Sequence, residues 1–303
     1  MLLPFLILLA VTAMAWALLT TVHVPVRVNW KLALVAGEFG YGLALLPLGL
    51  AALFWFNRED GPLLAGAGLV VCTLTMGFFL KPVFQAWQVG RTLPEKMEQA
   101  FGPTKVDATP FSPDGFLRKK PPVVRAEVHE FVSGLQLDFY RPNTASGAAP
   151  CVLVIHGGGW DSGDRSELPG FNDWLVSQGY AVAALDYRLA PLHPWPAQRD
   201  DVLSAIAWLK SHAGELHIDA DRLVLLGRSA GGQIASAVGY TALDPAIRGV
   251  IACYAPHDMS FAWSVSREDD ALNSIKLMRQ YLGGPPDRDR SGIYRSASAQ
   301  HNV

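Results

Sequence analysis

Cysteine is scarce and scattered in this 303-residue chain: Cys72, Cys151 and Cys253 stand apart, with no His/Cys cluster around them. That excludes a disulfide framework and a zinc site of ordinary ligand spacing, and leaves three buried thiols as the expectation. Patterns of the GxxxxGK[ST] or GxGxxG kind are also missing, so no phosphate cradle and no cofactor are expected. A net charge of -2 without a basic patch gives nucleic acid nothing to hold. There are no internal repeats and no low-complexity tracts.

Charge is missing from the first quarter of the chain. Of 25 basic and 27 acidic side chains, residues 1–80 carry six: Arg27, Lys31, Glu38, Arg58, Glu59 and Asp60. Three apolar runs there, Leu2 to Thr21, Leu32 to Phe56 and Leu63 to Leu80, reach the roughly 20 helical residues needed to cross a hydrocarbon core of about 30 Å. None shows a polar face, so residues 1–81 are expected to form a three-helix transmembrane region in the lipid bilayer. Ala13-Met14-Ala15 could serve signal cleavage, but no Lys or Arg precedes it and the first run is read as a span. Three spans put Arg27, Lys31, Lys81, Arg91 and Lys96 on one side and Arg58 alone on the other, which predicts a cytoplasmic C-terminal domain. Prolines at 82, 94, 103, 110, 113, 121 and 122 predict a linker over 82–122, with one short helix near Glu95 to Phe101.

Beyond residue 123 the composition is that of a soluble domain. Strands are expected at Arg125 to Phe131, Leu135 to Tyr140, Val152 to Ile155, Ala181 to Leu185, Leu223 to Leu226 and Val250 to Tyr254. Helices are expected at Phe171 to Ser177, Asp200 to Lys210 and Gly232 to Tyr240. This alternation predicts an α/β fold with a doubly wound, mostly parallel sheet and a ligand site at the carboxyl ends of its strands.

Two glycine-rich segments fall at those ends. Gly227-Arg228-Ser229-Ala230-Gly231 joins a buried strand to a helix, a turn sharp enough to lift a serine hydroxyl clear of the sheet. By itself this GxSxG pattern is equally compatible with a tight connection and an incidental serine. The second segment, His156-Gly157-Gly158-Gly159-Trp160, places three glycines directly after a strand. Their use is to let backbone N–H groups point into a cavity and hold an oxyanion.

With both segments in this order, the region from Val123 onward resembles the α/β-hydrolase superfamily. The branch is that of esterases and lipases with an HGGG oxyanion loop, the hormone-sensitive-lipase-like and related bacterial esterases. Asp186-Tyr187-Arg188-Leu189-Ala190-Pro191 and Pro196-Ala197 leading to Asp200-Asp201 extend the resemblance. It implies Ser229 as catalytic nucleophile, oxyanion donors from the N–H groups of Gly158, Gly159 and Ala230, and a scaffold role for Asp186 and Arg188. It also implies that part of 82–122 serves as a lid. Arg228 departs from the pattern, since that branch commonly has Asp there.

The general base is not where this fold keeps it. The fold uses the chain order Ser, Asp or Glu, His, and only His257 and His301 follow Ser229: His257 comes right after the strand ending at Tyr254, ahead of the place of the usual acid, and no further apolar strand run precedes His301. Asp258 is a candidate acid. The resemblance implies two more strands after Tyr254, so the chain is expected to be a fragment lacking the end of its catalytic domain, which runs here over 123–303. Two readings follow: a membrane-anchored serine hydrolase acting on a small-molecule carboxylic ester, or a non-catalytic membrane protein whose hydrolase-like domain binds a ligand. An amidase or peptidase on the same fold stays open.

Overall fold

The computed structural model describes residues 2–22, 27–103, 124–142 and 147–302. The expected linker prolines at 110, 113, 121 and 122 lie outside them. The chain divides near residue 118 into two compact units.

The N-terminal unit is helical: α1 (Leu2–Leu18), α2 (Arg27–Glu38), α3 (Gly40–Leu43), α4 (Leu45–Phe56) and α5 (Pro62–Phe101). Among the described residues one helix, α5, is long and apolar enough to cross a membrane, and the first apolar run forms a shorter helix. The second expected span is broken, with an 85° bend between Asn29–Glu38 and Gly40–Phe56. The break falls where Gly40 presses on α5, since a side chain there would start 2.2 Å from the Phe79 carbonyl oxygen. The third span differs too, because α5 continues through Pro82 and Pro94 to Phe101. Residues 82–101 are thus helix rather than irregular linker. A proline forfeits one helical hydrogen bond without ending the helix, and Gln, Glu, Lys, Met and Ala around Pro94 favour its continuation.

The C-terminal unit is a six-stranded sheet in the order β1-β2-β4-β3-β5-β6, from β1 (Glu127–Val132), β2 (Leu135–Tyr140), β3 (Ala149–Ile155), β4 (Ala181–Leu185), β5 (Ile218–Arg228) and β6 (Ile247–Cys253). β1 and β2 pair antiparallel, and β2 joins β4 antiparallel. β4, β3, β5 and β6 are mutually parallel. Helices α6 (Pro169–Ser177), α7 (Ala197–Ser211), α8 (Ala213–Leu216) and α9 (Ala230–Thr241) connect the strands, and α10 (Met259–Val265), α11 (Ser274–Leu282) and α12 (Ser291–Ala297) follow β6.

The continuous apolar runs of the central strands follow from burial on both faces. Cys151, Leu153, Ile155, Ala181, Ala183, Leu185, Leu223 and Leu225 enter one core layer with α7, α9, α11 and α12. Val152, Val154, Val182, Ala184 and Leu226 alternate with them into the opposite layer, with Leu175 and Val176 of α6. From β3 the chain goes to β4 on one side and returns to β5 on the other. Between β3 and β5 the winding therefore reverses, opening a crevice at their carboxyl ends.

Candidate active site

The strand register brings the two glycine-rich segments together. Ile155 of β3 stands opposite Gly227 of β5, so the HGGGW loop and the serine turn leave the sheet side by side. A side chain on Gly157 would begin 3.8 Å from Ser229 Cβ. Ser229 itself has φ 51° and caps α9, a left-handed conformation costly for a residue with a Cβ. The glycines around it hold it there. A Cβ on Gly227 would lie 2.2 Å from the Gly231 carbonyl oxygen, and one on Gly231 would lie 2.2 Å from that of Ile155. Turn and strand thus interlock backbone to backbone.

Peptide planarity then sets where the free N–H groups point, because a carbonyl and the following N–H face opposite ways in a trans peptide. The Gly157 carbonyl accepts from Tyr187 OH at 3.2 Å and from His156 Nδ1 at 2.7 Å, which turns the Gly158 N–H away from both. The Gly158 carbonyl accepts from Ser162 Oγ at 2.7 Å and Ser162 N–H at 3.1 Å, which turns the Gly159 N–H away in its turn. The Ser229 carbonyl accepts the first helical bond, from Gln233 N–H at 3.1 Å, leaving the Ala230 N–H at the free end of α9. Among the described residues none of these three N–H groups has a hydrogen-bond acceptor. They are available to an oxyanion beside Ser229.

His156 is buried against Tyr187, with ring centroids 4.1 Å apart. Burial pushes its pKa below the ordinary value, so it packs as a neutral ring with its proton on Nδ1, the atom that meets the carbonyl. Burial likewise drives the Tyr187 hydroxyl upward, keeping it a donor.

Arg228, the departure from the resemblance, is buried, and its Nη2 donates to Glu167 Oε2 at 3.1 Å. The same oxygen accepts the Gly157 N–H at 3.0 Å. Partial burial raises the Glu167 pKa, but the Gly157 N–H and Arg228 outweigh it and hold the carboxyl below the usual range. Glu167 was not found from the sequence. It lies 61 residues from Arg228, and the unexplained charge at Arg228 was the available signal.

Gln233 ties the loop to the helices after β6. Its Oε1 accepts from Trp160 Nε1 at 2.9 Å and from Tyr281 OH at 2.8 Å, and its Nε2 donates to the Ala297 carbonyl at 2.7 Å. The Trp160 and Tyr281 rings stack at 4.5 Å.

The other sequence candidates lie elsewhere. Asp258 caps α10, accepting from Phe261 N–H at 2.9 Å. His257 is exposed on a groove with Ser236, Tyr240 and Gln300, and His301 is exposed. Among the described residues, neither histidine nor any carboxylate hydrogen-bonds to Ser229 Oγ. Asp186 and Arg188 are held in ion pairs, Asp186 with Arg165 at 2.6 Å and Arg188 with Asp201 at 2.7 Å.

A reversing parallel sheet with a strained serine turn beside a glycine loop defines the α/β-hydrolase class. Residues 137–300 match the model of the BD-FAE family, and the chain belongs to that family of α/β-hydrolase esterases and lipases. It is 34% identical over 117 residues to carboxylesterase NlhH of Mycobacterium tuberculosis, covering 38% of this chain and 37% of NlhH. It is 40% identical over 95 residues to lipase 2 of a Moraxella species, covering 31% and 22%. The chain spans only 37% and 22% of the length of these two curated relatives. The solved structure of a Pyrobaculum calidifontis esterase shares the fold, with a TM-score of 0.50 and 24% identity over 69% of this chain and 68% of that one.

Proposed function

We propose that the chain is a membrane-anchored serine hydrolase that cleaves small-molecule carboxylic esters. Ser229 Oγ attacks the carbonyl, the N–H groups of Gly158, Gly159 and Ala230 stabilise the tetrahedral oxyanion, the alcohol leaves with a proton, and water releases the acyl group from Ser229. The observation that carries this reading is the set of three unclaimed N–H groups around a serine at φ 51°. The chain's similarity to a carboxylesterase and a lipase supports the ester class. The reading assigns a nucleophile and donors and no base. The same gap favours the second reading, a hydrolase-like domain that binds a ligand without turning it over.

The chain in detergent is expected to hydrolyse p-nitrophenyl butyrate and to bind a fluorophosphonate probe, both lost in Ser229→Ala. A parent chain that neither turns over nor labels would leave the binding reading, and labelling that survives in Ser229→Ala would move the nucleophile elsewhere. Turnover of a p-nitroanilide in preference to the ester would make the enzyme an amidase.

We also infer that residues 1–81 cross the bilayer three times, α1 as a short span, the bent α2–α4 segment as a broken one and α5 as the third, and that the hydrolase domain, 123–303, faces the cytoplasm. The outward-facing apolar side chains of the helical unit, among them Phe5, Leu8, Leu48, Phe56, Leu63 and Val70, support a lipid surround. An alkaline phosphatase fused at the C-terminus is expected to be inactive. Periplasmic activity of that fusion would reverse the orientation.

A further inference from the structure

The oxyanion loop is fixed on one side by its carbonyls, through Tyr187, His156 and Ser162. On the other side, among the described residues, a single side chain reaches its backbone N–H: Glu167, ten residues on. Glu167 Oε2 takes the Gly157 N–H and the Arg228 Nη2 together, at 3.0 and 3.1 Å. It thereby links the residue before the nucleophile to the residue before the first oxyanion donor. Arg228 is 7% exposed, and its Nε has no hydrogen-bond partner among the described residues, so Glu167 is the anchor of a nearly buried cation. Without that carboxylate the Gly157 N–H would be a fourth free donor next to Ser229, and the loop would be held through its carbonyls alone.

We propose that Glu167 is a positioning residue for the oxyanion donors: it engages the Gly157 N–H so that those of Gly158 and Gly159 face Ser229, and Arg228 holds its carboxylate in register. The role rests on the hydrolase reading for its effect on rate, but not for its effect on the loop. It acts through an acceptor atom, so an uncharged acceptor of the same shape can stand in for much of it.

A small misplacement of donors lowers kcat without changing how the ground state binds. Glu167→Ala is expected to lower kcat for p-nitrophenyl butyrate by about 30- to 100-fold with KM held within about twofold. Glu167→Gln, whose Oε1 can still accept from Gly157, should regain about tenfold of that loss. Deuterium exchange in the peptide carrying residues 156–163 should quicken in Glu167→Ala and slow again in Glu167→Gln, with β3 and β5 unchanged. If Glu167→Ala unfolds because Arg228 is left buried and alone, Arg228→Met/Glu167→Ala is read instead against Arg228→Met. A kcat within about threefold of the parent, or a Gln variant no better than Ala, overturns the proposal. If the parent neither hydrolyses nor labels, the hydrolase reading falls and loop exchange decides: faster exchange in Glu167→Ala upholds the positioning role, and unchanged exchange ends it.

Discussion

Replacing Gln233 by Leu keeps nearly the same volume and removes every polar atom at the centre of the buried network. Gln233 is 1% exposed, so water cannot replace its partners. The Trp160 Nε1–H, the Tyr281 hydroxyl and the Ala297 carbonyl would each lose a hydrogen bond of 2.7–2.9 Å. A buried polar group left unpaired costs about 1–3 kcal/mol. Three of them, with partial relaxation by the rotatable hydroxyl, give about 4 kcal/mol. For a domain of this size each kcal/mol moves the melting temperature by about 2–4 °C, so the C-terminal unit should melt about 8–16 °C lower by scanning calorimetry. The triple variant Trp160→Phe/Gln233→Leu/Tyr281→Phe removes two of the orphaned groups together with their partner. It should recover about half of the loss despite carrying two more substitutions, since deleting both ends of a hydrogen bond is close to neutral. A triple variant less stable than Gln233→Leu alone would refute the account, and the network would then be held by ring packing.

Gly231→Ala should cost more than 3 kcal/mol or abolish folding, because the added carbon meets backbone on a neighbouring strand rather than a side chain that can swing aside; yield and melting temperature check it. Asp244 is held below its ordinary 3.8, chiefly by hydrogen bonding to Lys210. A carboxylate with a depressed folded-state value stabilises above its unfolded value and loses that contribution as pH falls through the folded one. The pair is part-exposed, so Asp244→Asn should flatten the acid limb of the stability profile below pH of about 4 by less than about 1 kcal/mol. Burial pushes the Cys151 thiol up to about 12, so it should resist maleimide in the folded protein and react once unfolded, while half-buried Cys253 reacts first in a peptide-mapped time course.

The parallel core was legible because β3, β4 and β5 are apolar on both faces and bounded by glycine or charge. β5 was expected over Leu223 to Leu226 but runs from Ile218, since its first turns read "DADR" and join the sheet through a single backbone pairing, Ala149 with Ile218. That is a tertiary contact with no apolar signal. The serine turn and the glycine loop were legible as motifs, and their adjacency followed once β3 and β5 proved to be neighbours. Glu167, Gln233 and Tyr281 were not legible. Each makes a side-chain hydrogen bond across 48 to 73 residues of sequence, a relation that periodicity and composition do not encode. α5 was misjudged at its far end because Pro82 and Pro94 were read as stops.

The interlock of Gly227 and Gly231 with the neighbouring backbone means that the nucleophile's place is set by the absence of atoms. A mutational scan would therefore show two opposite sensitivities a few ångströms apart. At the turn, the smallest additions, a single methyl at 227 or 231, should do the harm. Around Gln233, Tyr281 and Tyr294, where buried side chains fill the space, truncation should do it instead. Drift in such a chain is confined from both directions: the turn admits no growth, and the wall behind it no shrinkage.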